Sequence, residues 1–218
     1  MFDVPVHSSK TSTAYDRLTR MLMAGEPRGE ERLIPSDLSR HLNVGLTPLR
    51  EALIRLAIEG VIEQVPGCGF FATLPNYGEL SDLNTILDLL FGKIVDDRNI
   101  SLCNMVVHEA HASPNRRFQW FYNGLASISD SAHVMRLSHC YTLKIGRLLA
   151  LQDSHAFDAS ELMVEIDRCI SAFSTEDRLE ASEAFVSHRR TMRAILPHLL
   201  LTAQTRSRRH RESLQVNG

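Results

Sequence analysis

LIPSDLSRHLNVGLTPLREALIRLAIEGVIEQVPGCGFF, residues 33–71, spells out a helix, a tight turn, a second helix and two short strands around a Gly-rich tip. In the first helix Leu38 and Leu42 stand four apart and share one face. Pro35, Ser36 and Asp37 suit its first turn, where a missing N–H costs nothing and a carboxylate complements the helix N-terminus. Asn43 to Gly45 supply the break. Thr47 is expected as N-cap and Pro48 as the first residue of the second helix. Leu49, Leu53, Leu56 and Ala57 form its apolar stripe, leaving Arg50, Glu51 and Ile54 on or beside the other faces, and Gly60 ends it. Val61 to Val65 and Phe70 to Thr73 then read as a hairpin across PGCG.

Two helices across a short turn, with an arginine near the start of the second, is the layout that sets a helix N-terminus into a DNA major groove. With the hairpin that follows, residues 29–72 resemble the winged-helix domain of GntR-family transcription regulators, most specifically in TPLREAL and RLAIEGVI. The resemblance implies DNA contacts from Ser36, Gly45, Leu46, Thr47 and Arg50, with Gly67 letting the wing backbone approach the minor groove. The family usually carries Ser or Thr followed by Arg where this chain has Gly45 and Leu46, so either its operator is expected to differ from those of typical members or its affinity to be lower.

Outward from this unit, residues 1–10 are expected as a disordered lead, and Tyr15, Leu18, Met21 and Leu22 as the stripe of a supporting helix. The DNA-binding unit is placed at residues 11–74 and a linker at 75–79, where LPNYGEL has Pro and Gly and no periodicity. Residues 80–204 carry helical spacing almost throughout, beginning with Leu83, Ile86, Leu87, Leu90, Phe91 and Ile94, and are expected to form a bundle of six or seven helices. One of these is expected over residues 100–110, and Pro197 is expected to kink the last. Arg206, Arg208, Arg209 and Arg211 make residues 205–218 a basic C-terminal tail or a solvated helix end. The fold class is thus mainly α, a winged helix-turn-helix followed by an all-helical domain.

With 218 residues, 44% of them hydrophobic, the chain can bury two modest cores. No apolar run is long enough to cross a bilayer and no signal peptide opens the sequence, so a cytoplasmic protein is expected. Cys68, Cys103, Cys140 and Cys169 stand singly, which favours reduced thiols over a disulfide framework or a Cys-rich zinc site. The net charge is −2, and from Lys10 to Pro75 eight basic residues balance eight acidic ones, so attraction to phosphates must come from local placement.

The helical region resembles the FCD effector-binding domain of the FadR subfamily. Many members hold a metal with an Asp, a His four residues on and two later His residues. STEDRLEASEAFVSH, residues 174–188, aligns Asp177, Ala181 and His188 with the last part of that pattern. On this register Ile166 takes a ligand's place, while Asn115 and Gln119 in NRRFQ replace the Asp and the first His. Neutral amides are poor ligands for divalent metals and isoleucine is none. We therefore expect no metal or cofactor and a small organic effector near Asn115, Gln119, Ile166 and His188. A rival register pairs His188 with His210, 22 residues on. His108 and His111, three apart in HEAH, lack a third ligand nearby in sequence.

The resulting expectation is a ligand-responsive, homodimeric regulator that binds an inverted-repeat operator in double-stranded DNA. A winged helix used only for protein contacts is the alternative. No nucleophile elbow, P-loop, HExxH or dinucleotide fingerprint points to an enzyme.

Overall fold

The computed structural model describes residues 10–97, 113–129, 131–152, 159–175 and 177–216. The helix expected over residues 100–110, His108, His111 and Cys103 lie outside these. Among the described residues there are eight helices and three short strands.

Helix α1 (Lys10–Met23) buries Ala14, Tyr15, Leu18, Met21 and Leu22 along one stripe, as the spacing predicts. After residues 24–31, β1 (Arg32–Leu33) leads into α2 (Pro35–His41), which opens on Pro35 with Asp37 in its first turn. Asn43, at φ 49°, turns the chain into α3 (Leu46–Ile58). Helix α3 buries Leu49, Ala52, Leu53 and Leu56 against α1, each leucine contributing roughly 1.5–3 kcal/mol of hydrophobic stabilisation.

The start of α3 corrects the expected cap. Gly45 is the N-cap and no side chain caps the end, so Thr47 lies inside the first turn. The first helical hydrogen bond runs from Leu49 N–H to Gly45 C=O (3.1 Å). Pro48 therefore sits at the last position whose N–H has no helical acceptor, where proline removes nothing.

At the far end Gly60, φ 71°, closes a Schellman motif. Val61 N–H donates to Leu56 C=O (2.9 Å) and Gly60 N–H to Ala57 C=O (3.0 Å). The hairpin of β2 (Glu63–Val65) and β3 (Gly69–Phe71) follows, as expected, but β1 adds to it to give an antiparallel sheet in the order β1-β3-β2. Arg32 pairs with Phe71 and Leu33 with Phe70.

Helices α4 (Tyr77–Asp97), α5 (Pro114–Ile128), α6 (Ala132–Ala150), α7 (Ser160–Ser174) and α8 (Arg178–Val216) surround a second core built on Phe91, Phe118, Phe121, Tyr122, Tyr141, Phe173 and Phe185. Helix α5 starts at the expected SPN, with Ser113 as N-cap and Pro114 first. Helix α8 is 39 residues long and runs through Pro197, so the basic run is its C-terminal part. No helix of the described residues is long and apolar enough to cross a membrane.

Helix α6 serves both cores. Tyr141, Ile145, Leu148 and Leu149 face the bundle, while Leu143 belongs to the core of α1 and α3.

Candidate nucleic-acid interface

The outer face of α3 carries Leu46, Thr47, Arg50, Glu51 and Ile54, all exposed, and Ser36 and Gly45 are exposed just before it. These neighbours differ in what already occupies them. Arg55 lies over the Tyr15 ring, 4.0 Å from its centroid, and gives its Nε–H to Glu59 (2.9 Å). Arg40 pairs with Asp37 at 2.5 Å, and Glu51 accepts a hydrogen bond from the Thr11 hydroxyl (2.6 Å). Among the described residues Arg50 alone of these three arginines has no hydrogen-bond or ion-pair partner.

The wing tip is a tight turn at Val65, Pro66, Gly67 and Cys68, with Cys68 N–H bonded to Val65 C=O (3.0 Å). Proline followed by glycine at φ 74° is the pattern of a type II turn. A Cβ on Gly67 would meet nothing within 4 Å, so the tip backbone stands open.

Helix α6 ties the winged helix to the bundle. Tyr15 donates its hydroxyl proton to Glu59, and its oxygen lies 2.8 Å from His139 Nε2. With its one proton engaged in that hydrogen bond, Tyr15 can only accept from His139, so Nε2 of that ring carries hydrogen. Burial, reinforced by Glu59, raises the Tyr15 pKa beyond the usual tyrosine range, and burial lowers that of His139. Cys140 donates its S–H to Glu59 C=O (3.1 Å), and burial raises its thiol pKa. Lys144 pairs with Glu79 at the start of α4. Arg147 donates to the carbonyls of Glu26 (3.2 Å), Pro27 (2.9 Å) and Gly29 (3.0 Å), and burial lowers its pKa to about 10. At Gly146 a Cβ would stand 2.8 Å from the terminal methyl of Met23, so the end of the Met23 side chain rests on the helix there.

The four residues expected around an effector occupy three surroundings. Asn115 gives its amide to Met23 C=O (3.0 Å), at the end of α1. Gln119 is half-buried and lines a groove of about 300 Å³ with Arg116, Trp120, Asn123 and Gly124. Ile166 and His188 are both fully buried. His188 is ringed by Phe121, Tyr122 and Phe185, with Nε2 3.0 Å from the Tyr122 hydroxyl. Its Nδ1 has no hydrogen-bond partner among the described residues, and burial pushes its pKa down to about 3.

Asp177 is a helix cap, accepting from Leu179 N–H (2.9 Å) and Glu180 N–H (3.2 Å). His210 pairs with Glu31 at 3.1 Å, and 22 residues of continuous α8 hold it about 33 Å from His188. The rival metal register is therefore closed by geometry. Among the described residues no group of three or more His, Cys, Asp or Glu is placed to hold a metal.

A polar chain in the bundle went unread in the sequence. The Tyr141 hydroxyl donates to Asn84 Oδ1 (2.7 Å) and Asn84 Nδ2–H to Asp88 (3.2 Å), while Arg193 (3.1 Å) and Arg189 (3.4 Å) close on the same carboxylate. Desolvation outweighs the two guanidinium groups and raises the Asp88 pKa.

Residues 10–72 match the family model described as bacterial regulatory proteins, gntR family. Among solved structures, E. coli McbR/YncC is similar with a TM-score of 0.63 and 18% identity, covering 86% of this chain and 97% of that one. A GntR transcriptional regulator from Rhodococcus sp. RHA1 is similar with a TM-score of 0.69 and 17% identity, over 86% of this chain and 97% of that one. At such identities the likeness is one of fold. Comparison with curated proteins gives no sequence match. The winged helix-turn-helix of residues 10–72 is therefore the part of the chain that matches the gntR family of bacterial regulatory proteins, and it is joined here to a helical domain.

Proposed function

We propose that the chain is a DNA-binding transcription regulator whose second helix-turn-helix helix, α3, reads an operator. The observation that carries this reading is Arg50, exposed at the start of α3 with no partner among the described residues, in a domain that matches the gntR family. Thr47 and Ser36 supply hydroxyls near the same helix start, and Gly45 and Gly67 allow close backbone approach. Two copies of the chain bind an inverted repeat, each supplying one reader.

Arg50→Ala is expected to abolish the mobility shift on a selected operator while leaving the circular dichroism melt unchanged. A variant that still binds the operator as tightly as wild type overturns the assignment. Sedimentation of the protein–DNA complex is expected to give two chains per duplex.

The helical domain is proposed as an effector domain of the FCD type without its metal. The buried, unpaired Nδ1 of His188 supports this, since such an atom is ready to meet a polar ligand group. Asn115 serves the contact with α1 instead. Native mass spectrometry of purified protein is expected to show an organic mass that His188→Ala loses. Stoichiometric zinc, nickel or manganese in wild type would overturn the metal-free reading.

A further inference from the structure

The exposed ridge of α3 is partly apolar. Leu46, Arg50, Ile54 and Ile58 recur every four residues and so form one line along the helix. Leu49, Leu53 and Leu56 are completely buried, whereas Leu46 is 38% and Ile54 43% exposed, on either side of Arg50. Neither core uses Leu46. Ile58, farther along, lines a groove with Ala57, Gly60, Ile62 and Leu74, away from the helix start.

The floor of the major groove offers hydrogen-bond donors and acceptors at every base pair and one apolar group, the C5-methyl of thymine. Charge complementarity places the same ridge on DNA, because Arg50 is free among the described residues while the neighbouring Glu51 is engaged by Thr11. Side chains on a helix lean toward its N-terminus, so Leu46 leads Arg50 into the groove. Four helical residues advance about 6 Å, close to two base steps at about 3.4 Å each.

We propose that Leu46 packs on a thymine C5-methyl, so that each operator half-site carries a thymine within about two base steps of the base read by Arg50. This rests on the DNA-reading function above. It makes Leu46 a specificity residue. Ile54, on the other flank of Arg50, is available to a second methyl.

The test begins with full-length protein and a randomised duplex pool, from which bound sequences are enriched. Each thymine of an enriched duplex is then replaced by uracil, which removes the methyl and nothing else. One thymine per half-site is expected to weaken binding about fourfold on replacement, the effect of one buried carbon. Leu46→Ala protein is expected to bind the thymine and uracil duplexes equally. If wild-type protein tolerates uracil at every position while Arg50→Ala abolishes binding, the thymine contact is overturned and the regulator reading stands. If no sequence is enriched, the DNA reading falls and takes the thymine contact with it; if a sequence is enriched but Arg50→Ala binds it as wild type does, the Arg50 assignment falls and with it the thymine contact placed beside it. Leu46 is exposed, so its substitution leaves the fold intact, and a melt of each variant checks this.

Discussion

His188 sits among three aromatic rings with one nitrogen bonded and the other without a partner among the described residues, and it stays neutral because burial pushes its pKa to about 3. In the unfolded chain the same imidazole titrates near 6.5. Below that pH the unfolded state binds a proton that the native state refuses, so stability falls with acidification, by about 1.4 kcal/mol per pH unit from this residue down to about pH 3. His139 is shifted in the same direction. Urea melts at pH 7, 6 and 5 are expected to show this slope, and His188→Gln to show a shallower one. At pH 7 His188→Ala is expected to cost about 2–4 kcal/mol, from the cavity and the stranded Tyr122 hydroxyl. His188 was visible in the sequence as a candidate ligand, but its aromatic surroundings come from α5 and α8, far apart along the chain. Asn84 and Asp88 were invisible for a related reason. They interrupt the apolar stripe of α4, and only Tyr141, Arg189 and Arg193, from much later in the chain, make those buried positions tenable.

At the scale of elements, the end of α3 was legible because Gly60 marks it, whereas Thr47 and Pro48 drew its start two residues too late. Gly60 holds φ 71° in the Schellman turn, so Gly60→Ala is expected to lower stability by about 1–2 kcal/mol in a denaturant melt. Strand β1 escaped notice because two residues are too few for an alternation to show, and its pairing with β3 is made across the whole helix-turn-helix. The sequence marks Pro197 as a kink in the last helix, and α8 is continuous through it. Pro197 is exposed and withholds one hydrogen bond from the helix. Pro197→Ala is expected to stabilise the protein by about 1–3 kcal/mol, read as a higher thermal midpoint; an unchanged or lower midpoint would mean that the proline relieves a packing conflict.

For the whole molecule, two cores were readable from periodicity, and the joint between them was not. His139, Lys144 and Arg147 have the chemistry of a solvated face, and in the sequence they interrupt an otherwise apolar helix. Their partners, Tyr15, Glu79 and the carbonyls of residues 26–29, lie in segments no local window connects to α6. Arg147→Ala leaves three carbonyls without their donor, and a loss of about 2–4 kcal/mol is expected. Hydrogen exchange is expected to quicken first at residues 24–33, while the amides of α5 and α7 keep their protection. Lysine is a poor replacement, since one ammonium cannot reproduce the forked reach of the guanidinium.

That joint bears on how such a protein can be recombined. Because α6 grips α1, the end of α3, the loop before β1 and the start of α4, the reader is keyed to this particular bundle. A chimera that transplants residues 10–76 onto a foreign helical domain would inherit the exposed face of α3 but lose its seat. To keep that seat it would need the α6 positions 139, 140, 143, 144, 146 and 147 grafted with it, so the unit of exchange is the winged helix together with one helix of the bundle.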